Sequence, residues 1–111
     1  MITVAETEPF QRKVGNLLSG IEKAELIAYL SMRPQAGVLI QGTGGIRKLR
    51  WARIGRGKSG GVRVIYYFHS PEMPLYLLTV FGRNQKANIS KEEKNTLAKA
   101  VKKLVKYWSQ R

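Results

Sequence analysis

Residues 42–86 read GTGGIRKLRWARIGRGKSGGVRVIYYFHSPEMPLYLLTVFGRNQK, and the fold turns on this stretch. Within it, VRVIYYFH (residues 62–69) carries the strongest strand signal. Val62, Val64, Tyr66 and Phe68 alternate with Arg63, Ile65, Tyr67 and His69, so the two sets point to opposite faces. The turn residues Ser70-Pro71-Glu72-Met73-Pro74 follow. LYLLTVF (residues 75–81) is then almost wholly apolar, as a central strand covered on both faces should be. Upstream, residues 46–54 alternate without a clean apolar side. Ile46, Lys48, Arg50 and Ala52 lie on one face, and Arg47, Leu49, Trp51 and Arg53 on the other, which suits an edge or strongly twisted strand. Gly55-Arg56-Gly57-Lys58-Ser59-Gly60-Gly61 supplies a basic turn between them. Three strands joined by turns make an antiparallel meander.

Working outward, residues 2–5 (ITVA) predict a short first strand. Pro9 suits a first helical turn, and Phe10, Val14, Leu17 and Leu18 at helical spacing predict a helix over residues 9–18. Ser19-Gly20-Ile21-Glu22 is a capping-box pattern. It opens a second helix whose inward set is Ile21, Ala24, Ile27, Ala28 and Leu30, and Arg33-Pro34 ends it. The charged groups of these helices, Arg12, Lys13 and Lys23, read as solvated. Val38-Leu39-Ile40 predicts a short edge strand, and Gly42, Gly44 and Gly45 a flexible joint. At the other end, Ser90-Lys91-Glu92-Glu93 is a second capping box. It opens a last helix with Leu97, Val101, Leu104, Val105 and Trp108 on one stripe, to be laid on the sheet. The expected class is α+β: a small antiparallel sheet of three to five strands, two N-terminal helices and one C-terminal helix. At 111 residues the chain is long enough for one domain, residues 1–111, with a real core.

The charge balance is unusual. Twenty Lys and Arg stand against seven Glu and no Asp, a formal net charge of +13. Such self-repulsion destabilises a small domain and points to an anionic partner, nucleic acid first. The basic residues cluster: Arg47, Lys48, Arg50, Arg53, Arg56, Lys58 and Arg63 occupy residues 46–63 with no acid among them. Cys is absent, no signal peptide opens the chain, and no apolar run approaches ~20 residues. A cytosolic protein without membrane contact is the expectation.

One His, no Cys and no Asp cannot build the usual metal shell or a nucleophilic triad, and no cofactor is expected. GRGKSGG resembles the end of a phosphate loop, but a strand follows it rather than the helix such a loop needs. What remains is a cation clamp. If the strands pair through the Ser70–Pro74 turn, Arg63 at the start of one lies beside Arg83 and Lys86 just past the end of the other. With Lys58 they would clamp a phosphodiester, and Arg47, Lys48, Arg50, Arg53 and Arg56 would hold RNA around it. RNA carries its own nucleophile, the 2′-OH, so charge stabilisation and positioning suffice for its cleavage.

GKSGGVRVIYYF, LYLLTVFGRNQK and NISKEEKNTL together resemble the HigB branch of the RelE-type toxins of bacterial toxin–antitoxin modules. The resemblance covers residues 42–104. It implies a small antiparallel sheet flanked by helices, cleavage of mRNA in the ribosomal A site, and inhibition by a cognate antitoxin, typically a helix-turn-helix protein. It makes Arg63 a phosphate contact near the scissile bond and Arg83 the basic residue after the last strand, with Lys86 close behind. Arg53, Arg56 and Lys58 correspond loosely to the family's basic residues before the Gly turn. The C-terminal Tyr of RelE proper has no clear counterpart, since Tyr107 sits far along the last helix. Two other functions remain open: gyrase inhibition, as in the ParE proteins of the same fold, and general nucleic-acid binding.

Overall fold

The computed structural model describes residues 1–52, 61–86 and 88–110. In chain order the elements are β1 (Val4–Glu6), α1 (Glu8–Val14), α2 (Gly20–Met32), β2 (Val38–Leu39), β3 (Ile46–Trp51), β4 (Val62–Tyr67), β5 (Leu75–Gly82) and α3 (Lys91–Ser109). They form the expected α+β arrangement, with three helices and a five-stranded sheet of order β1-β5-β4-β3-β2 among the described residues. The meander β3-β4-β5 is antiparallel, as is the β2–β3 pair. The exception is β1, which joins β5 in parallel with Val4 opposite Leu75. A parallel partner needs a long connection, and everything from α1 to β4 lies between the two strands. Thr7 fastens the junction: its Oγ1 donates to Leu77 O at 2.8 Å and Leu78 O at 3.1 Å.

Helices cover both faces of the sheet. On the first face, Phe10 and Val14 of α1 and Leu26 and Leu30 of α2 pack on Val62, Val64, Tyr66, Leu75, Leu77 and Val80. On the second, the α3 stripe of Leu97, Val101, Leu104, Val105 and Trp108 packs on Ile65, Tyr67, Leu78 and Phe81. The alternation of β4 is as expected, with Val62, Val64 and Tyr66 to the first face and Ile65 and Tyr67 to the second. In β5 the alternation breaks. Leu75, Leu77 and Val80 share one face, and Leu78 and Phe81 the other. A register shift between Ile65 and Tyr66 inserts the extra residue that reverses the parity.

Three helical details depart from expectation. α1 stops at Val14 rather than Leu18, because Gly15 and Asn16 are poor helix formers and the chain tightens into a turn, with Leu17 N donating to Val14 O at 3.0 Å. Ile21, Ala24 and Ala28 point outward. α2 lies on its Leu26–Leu30 row, and Ile21, about half a turn round from Leu30, is 71% exposed. Lys13 and Lys23 are engaged rather than solvated. Lys23 Nζ pairs with Glu6 at 3.1 Å, and Lys13 Nζ donates to Thr79 Oγ1 at 3.1 Å. Both capping boxes form as expected, Ser19 with Glu22 and Ser90 with Glu93.

The sheet's far edge is short. β2 pairs with β3 only at Lys48 and Arg47, so from Leu49 onward β3 has no outer strand among the described residues. Behind β2, Tyr66 Oη accepts from Gly37 N at 2.8 Å and donates to Pro34 O at 2.9 Å. A Cβ at Gly37 would stand 2.8 Å from the Tyr66 ring, so this close approach requires glycine.

Candidate functional site

Arg63 is the second residue of β4, where the alternation that buries Ile65 and Tyr67 also turns it toward the α3 side. The antiparallel register sets Arg50 of β3 directly opposite, and side chains opposed in this way share a face. Phe81 of β5 is its partner on the other flank. Arg83 lies just past β5. Its backbone N donates to Gly61 O at 3.2 Å, fastening the turn after β5 to the start of β4. The three arginines line a cavity of about 260 Å³ together with Trp51, Ala52 and Gly61. Arg63 and Arg83 thus come together as the sequence suggested, and Arg50 joins them.

The electrostatics of this cavity are one-sided. Arg63 is only 8% exposed, yet among the described residues no ion pair involves Arg50, Arg63 or Arg83. Burial, and then the charges of Arg50 and Arg83, lower the Arg63 guanidinium from its ordinary value. An arginine nevertheless stays charged in a protein. Arg63 lines the cavity, and among the described residues no buried side-chain nitrogen or oxygen lacks a partner. Fixed guanidinium groups of this kind match the oxygens of a phosphate and gain from each anionic oxygen they meet.

The other sequence candidates sit elsewhere. Lys86 Nζ reaches Glu93 at 2.8 Å and lies 4.9 Å from the Phe81 ring centre, and it does not line the arginine cavity. Arg47 Nη1 donates to Gln35 O and Gly37 O, bracing the segment before β2. Lys48 is half-buried on β3 opposite Ile65. Arg53, read on the strand over residues 46–54, and Arg56 and Lys58, read in the turn over residues 55–61, lie outside the described residues. Trp51 packs on Tyr29 of α2 with ring centres 5.3 Å apart. His69, the one imidazole, is six residues along from Arg63, or ~20 Å at strand rise, and its Nδ1 lies 3.3 Å from Tyr67 Oη.

Sequence reasoning assigned Arg50 to an outer RNA-binding set and did not place it beside Arg63. Its position depends on the β3–β4 register across a Gly-rich connection, which composition alone does not specify. Among the described residues no cluster of three or more His, Cys, Asp or Glu is placed to hold a metal ion. Nor is any helix there long and apolar enough to cross a membrane. The arginine cavity on a three-strand meander, the two helices ahead of it and the capped helix behind it agree with a match over residues 10–111 to the family model described as the RelE toxin of the RelE/RelB toxin–antitoxin system. The chain accordingly belongs to the RelE toxin family, as the toxin partner of a cognate antitoxin.

Proposed function

We propose that this toxin is an endoribonuclease that cuts mRNA in the ribosomal A site, as the HigB-like motifs imply, with the arginine cavity as its phosphate site. The observation that carries this reading is the set of three arginines around 260 Å³ with no carboxylate paired to any of them among the described residues. Such a site is incomplete until an anion enters.

The cavity suits a reaction that needs positioning and charge rather than a protein nucleophile. The 2′-oxygen of the substrate attacks the adjacent phosphorus, and the 2′-OH proton leaves to solvent. The phosphorane gains a second negative charge. The bond to the 5′-oxygen then breaks, that oxygen takes up a proton, and a 2′,3′-cyclic phosphate and a 5′-hydroxyl end result. Arg63, held on a strand and largely enclosed by its neighbours, contacts the non-bridging oxygens. Arg83 closes on them from the turn beyond β5, and Arg50 adds charge from β3. Low solvent access raises the value of each contact in the transition state. The arginines supply the charge that a resident metal would otherwise provide. Lys86, turned to Glu93, has no part in this clamp. The antitoxin is proposed to be a helix-turn-helix protein.

Primer extension on mRNA from cells expressing the protein tests the reading. Cuts in frame with codons that vanish when translation is blocked are expected, and Arg63→Gln should abolish them while leaving antitoxin binding intact. Intact mRNA alongside inhibition of gyrase supercoiling in vitro would replace the nuclease with a gyrase poison.

A further inference from the structure

The three arginines of the cavity are not held alike. Arg50 and Arg63 stand on β3 and β4, where the ladder between the two strands fixes their backbone. Arg83 lies past the end of β5, in the exposed turn Arg83-Asn84-Gln85-Lys86 that leaves the sheet at Gly82. A long side chain on such a turn is placed only as well as the backbone that carries it, so Arg83 needs a local device.

On the β4 side the turn is pinned once, where Arg83 N donates to Gly61 O at 3.2 Å. Amide groups along a strand point alternately to its two flanks, so Gly82 N, one residue back, points away from β4. On that flank β1 pairs only as far as Leu77, and no other strand continues along it among the described residues. Gln85 takes the place of the missing strand. Its Oε1 accepts from Gly82 N at 2.7 Å, and its backbone N donates to Gly82 O at 3.0 Å. One residue thus holds both polar groups of Gly82. The bond to Gly61 is made by backbone and tolerates any residue except proline at position 83. The bond from Gly82 N depends on the side chain at position 85. Gln85 is exposed, belongs to neither core cluster and does not line the arginine cavity. Its neutral amide accepts the bond without setting a negative charge two residues from Arg83.

We infer that Gln85 is a positioning residue of the nuclease site. Its side-chain carbonyl holds the end of β5 so that Arg83 meets the phosphate, and Gln85 itself touches no substrate. The inference rests on the nuclease reading above. It makes the placement of one cation in the clamp depend on a hydrogen bond formed outside the cavity.

Gln85→Met tests this, since it keeps the length of the side chain and removes the oxygen acceptor. In ribosome-dependent cleavage of mRNA by the purified toxin it should lower kcat about tenfold and leave KM unchanged, as when a contact is lost from the transition state. The toxin should remain fully folded at the assay temperature. Arg83→Gln should cost at least as much, and the double variant should match Arg83→Gln alone, because Gln85 acts only through Arg83. Asn84→Ala, in the same turn, should cleave as the wild type does. The inference fails if Gln85→Met keeps full activity, if its loss multiplies with that of Arg83→Gln, or if Asn84→Ala falls as far. It also fails if KM rises with kcat unchanged, which would make Gln85 a binding contact, or if activity is lost only in proportion to unfolded protein. If the wild type does not cut mRNA, or Arg83→Gln cuts it normally, the fault lies in the nuclease site as read, and the role of Gln85 falls with it. If Arg83→Gln is impaired and Gln85→Met is not, the positioning role alone is refuted.

Discussion

The arginines at the start of β4 and the lysines around the helices are the same charge in opposite company. Lys23 has Glu6 and Lys86 has Glu93, each at about 3 Å and each tying a helix to the sheet or to its neighbouring turn. Glu22 and Glu93 also close capping boxes. Arg50, Arg63 and Arg83 line one cavity with no such partner among the described residues. Among the described residues the acids in ion pairs are Glu6, Glu8 and Glu93, which meet Lys23, Arg12 and Lys86, and the meander's end is left positive. Cations that hold a fold together are matched within the fold. Cations that repel within the fold are matched by something that arrives later.

Replacing Arg63 should break this contrast most sharply. Arg63→Gln is expected to lower RNA cleavage by about 10²–10³-fold, the usual loss when one preorganised donor to a developing anion is removed. The same change should leave the melting temperature unaltered or raise it. The guanidinium is lowered from its ordinary value, so its charged form is disfavoured in the folded state and weakens the fold at every pH below the arginine range. Thermal unfolding beside a cleavage assay checks both halves. A variant that loses activity by unfolding would contradict the reading. Arg50→Gln should follow with a loss of about tenfold, or ~1.4 kcal/mol, since it adds charge from across the strand without being enclosed.

On the matched side the expected signs reverse. Glu93→Gln should lower stability by about 1 kcal/mol, since it loses both the Lys86 pair and the charged half of a capping box. The Glu93 carboxyl is held below its ordinary value, first by its hydrogen bond to Lys86 and then by the Ser90 amide. Its contribution is therefore present above the ordinary glutamate range and is lost as pH falls through the lowered value. Denaturant titrations at about pH 5 and about pH 3 should show the wild type losing more stability than Glu93→Gln. The smallest effect should be Lys23→Gln, about 0.5 kcal/mol, read from the same titrations, as for other partly exposed pairs.

How much of this was legible in the sequence depended on the range of the interaction. The capping boxes at Ser19 and Ser90 are local, and both form as read. The faces of β4 follow from strict alternation, and Arg63 stands where that alternation puts it. β5 is misleading because its apolar run hides a bulge, so Val80 and Phe81 fall on the faces opposite to a simple count. α2 is misleading because small and branched apolar residues surround it, and only docking on the sheet selects the Leu26–Leu30 row. Arg50 opposite Arg63 and Lys86 opposite Glu93 are matters of register and turn path, which residue type does not encode. The parallel docking of β1 depends on a partner some seventy residues away.

The abbreviated β2 has a practical consequence. Val38 and Leu39 are 72% and 56% exposed, and the rest of β3 presents bare amide and carbonyl groups beside them among the described residues. In a neutral protein such a margin invites stacking of one copy against another. Here mutual repulsion between strongly cationic copies holds them apart, and dissolved salt shortens the range of that repulsion. Light scattering should therefore detect self-association as ionic strength rises, and the purified toxin should keep best in dilute buffer.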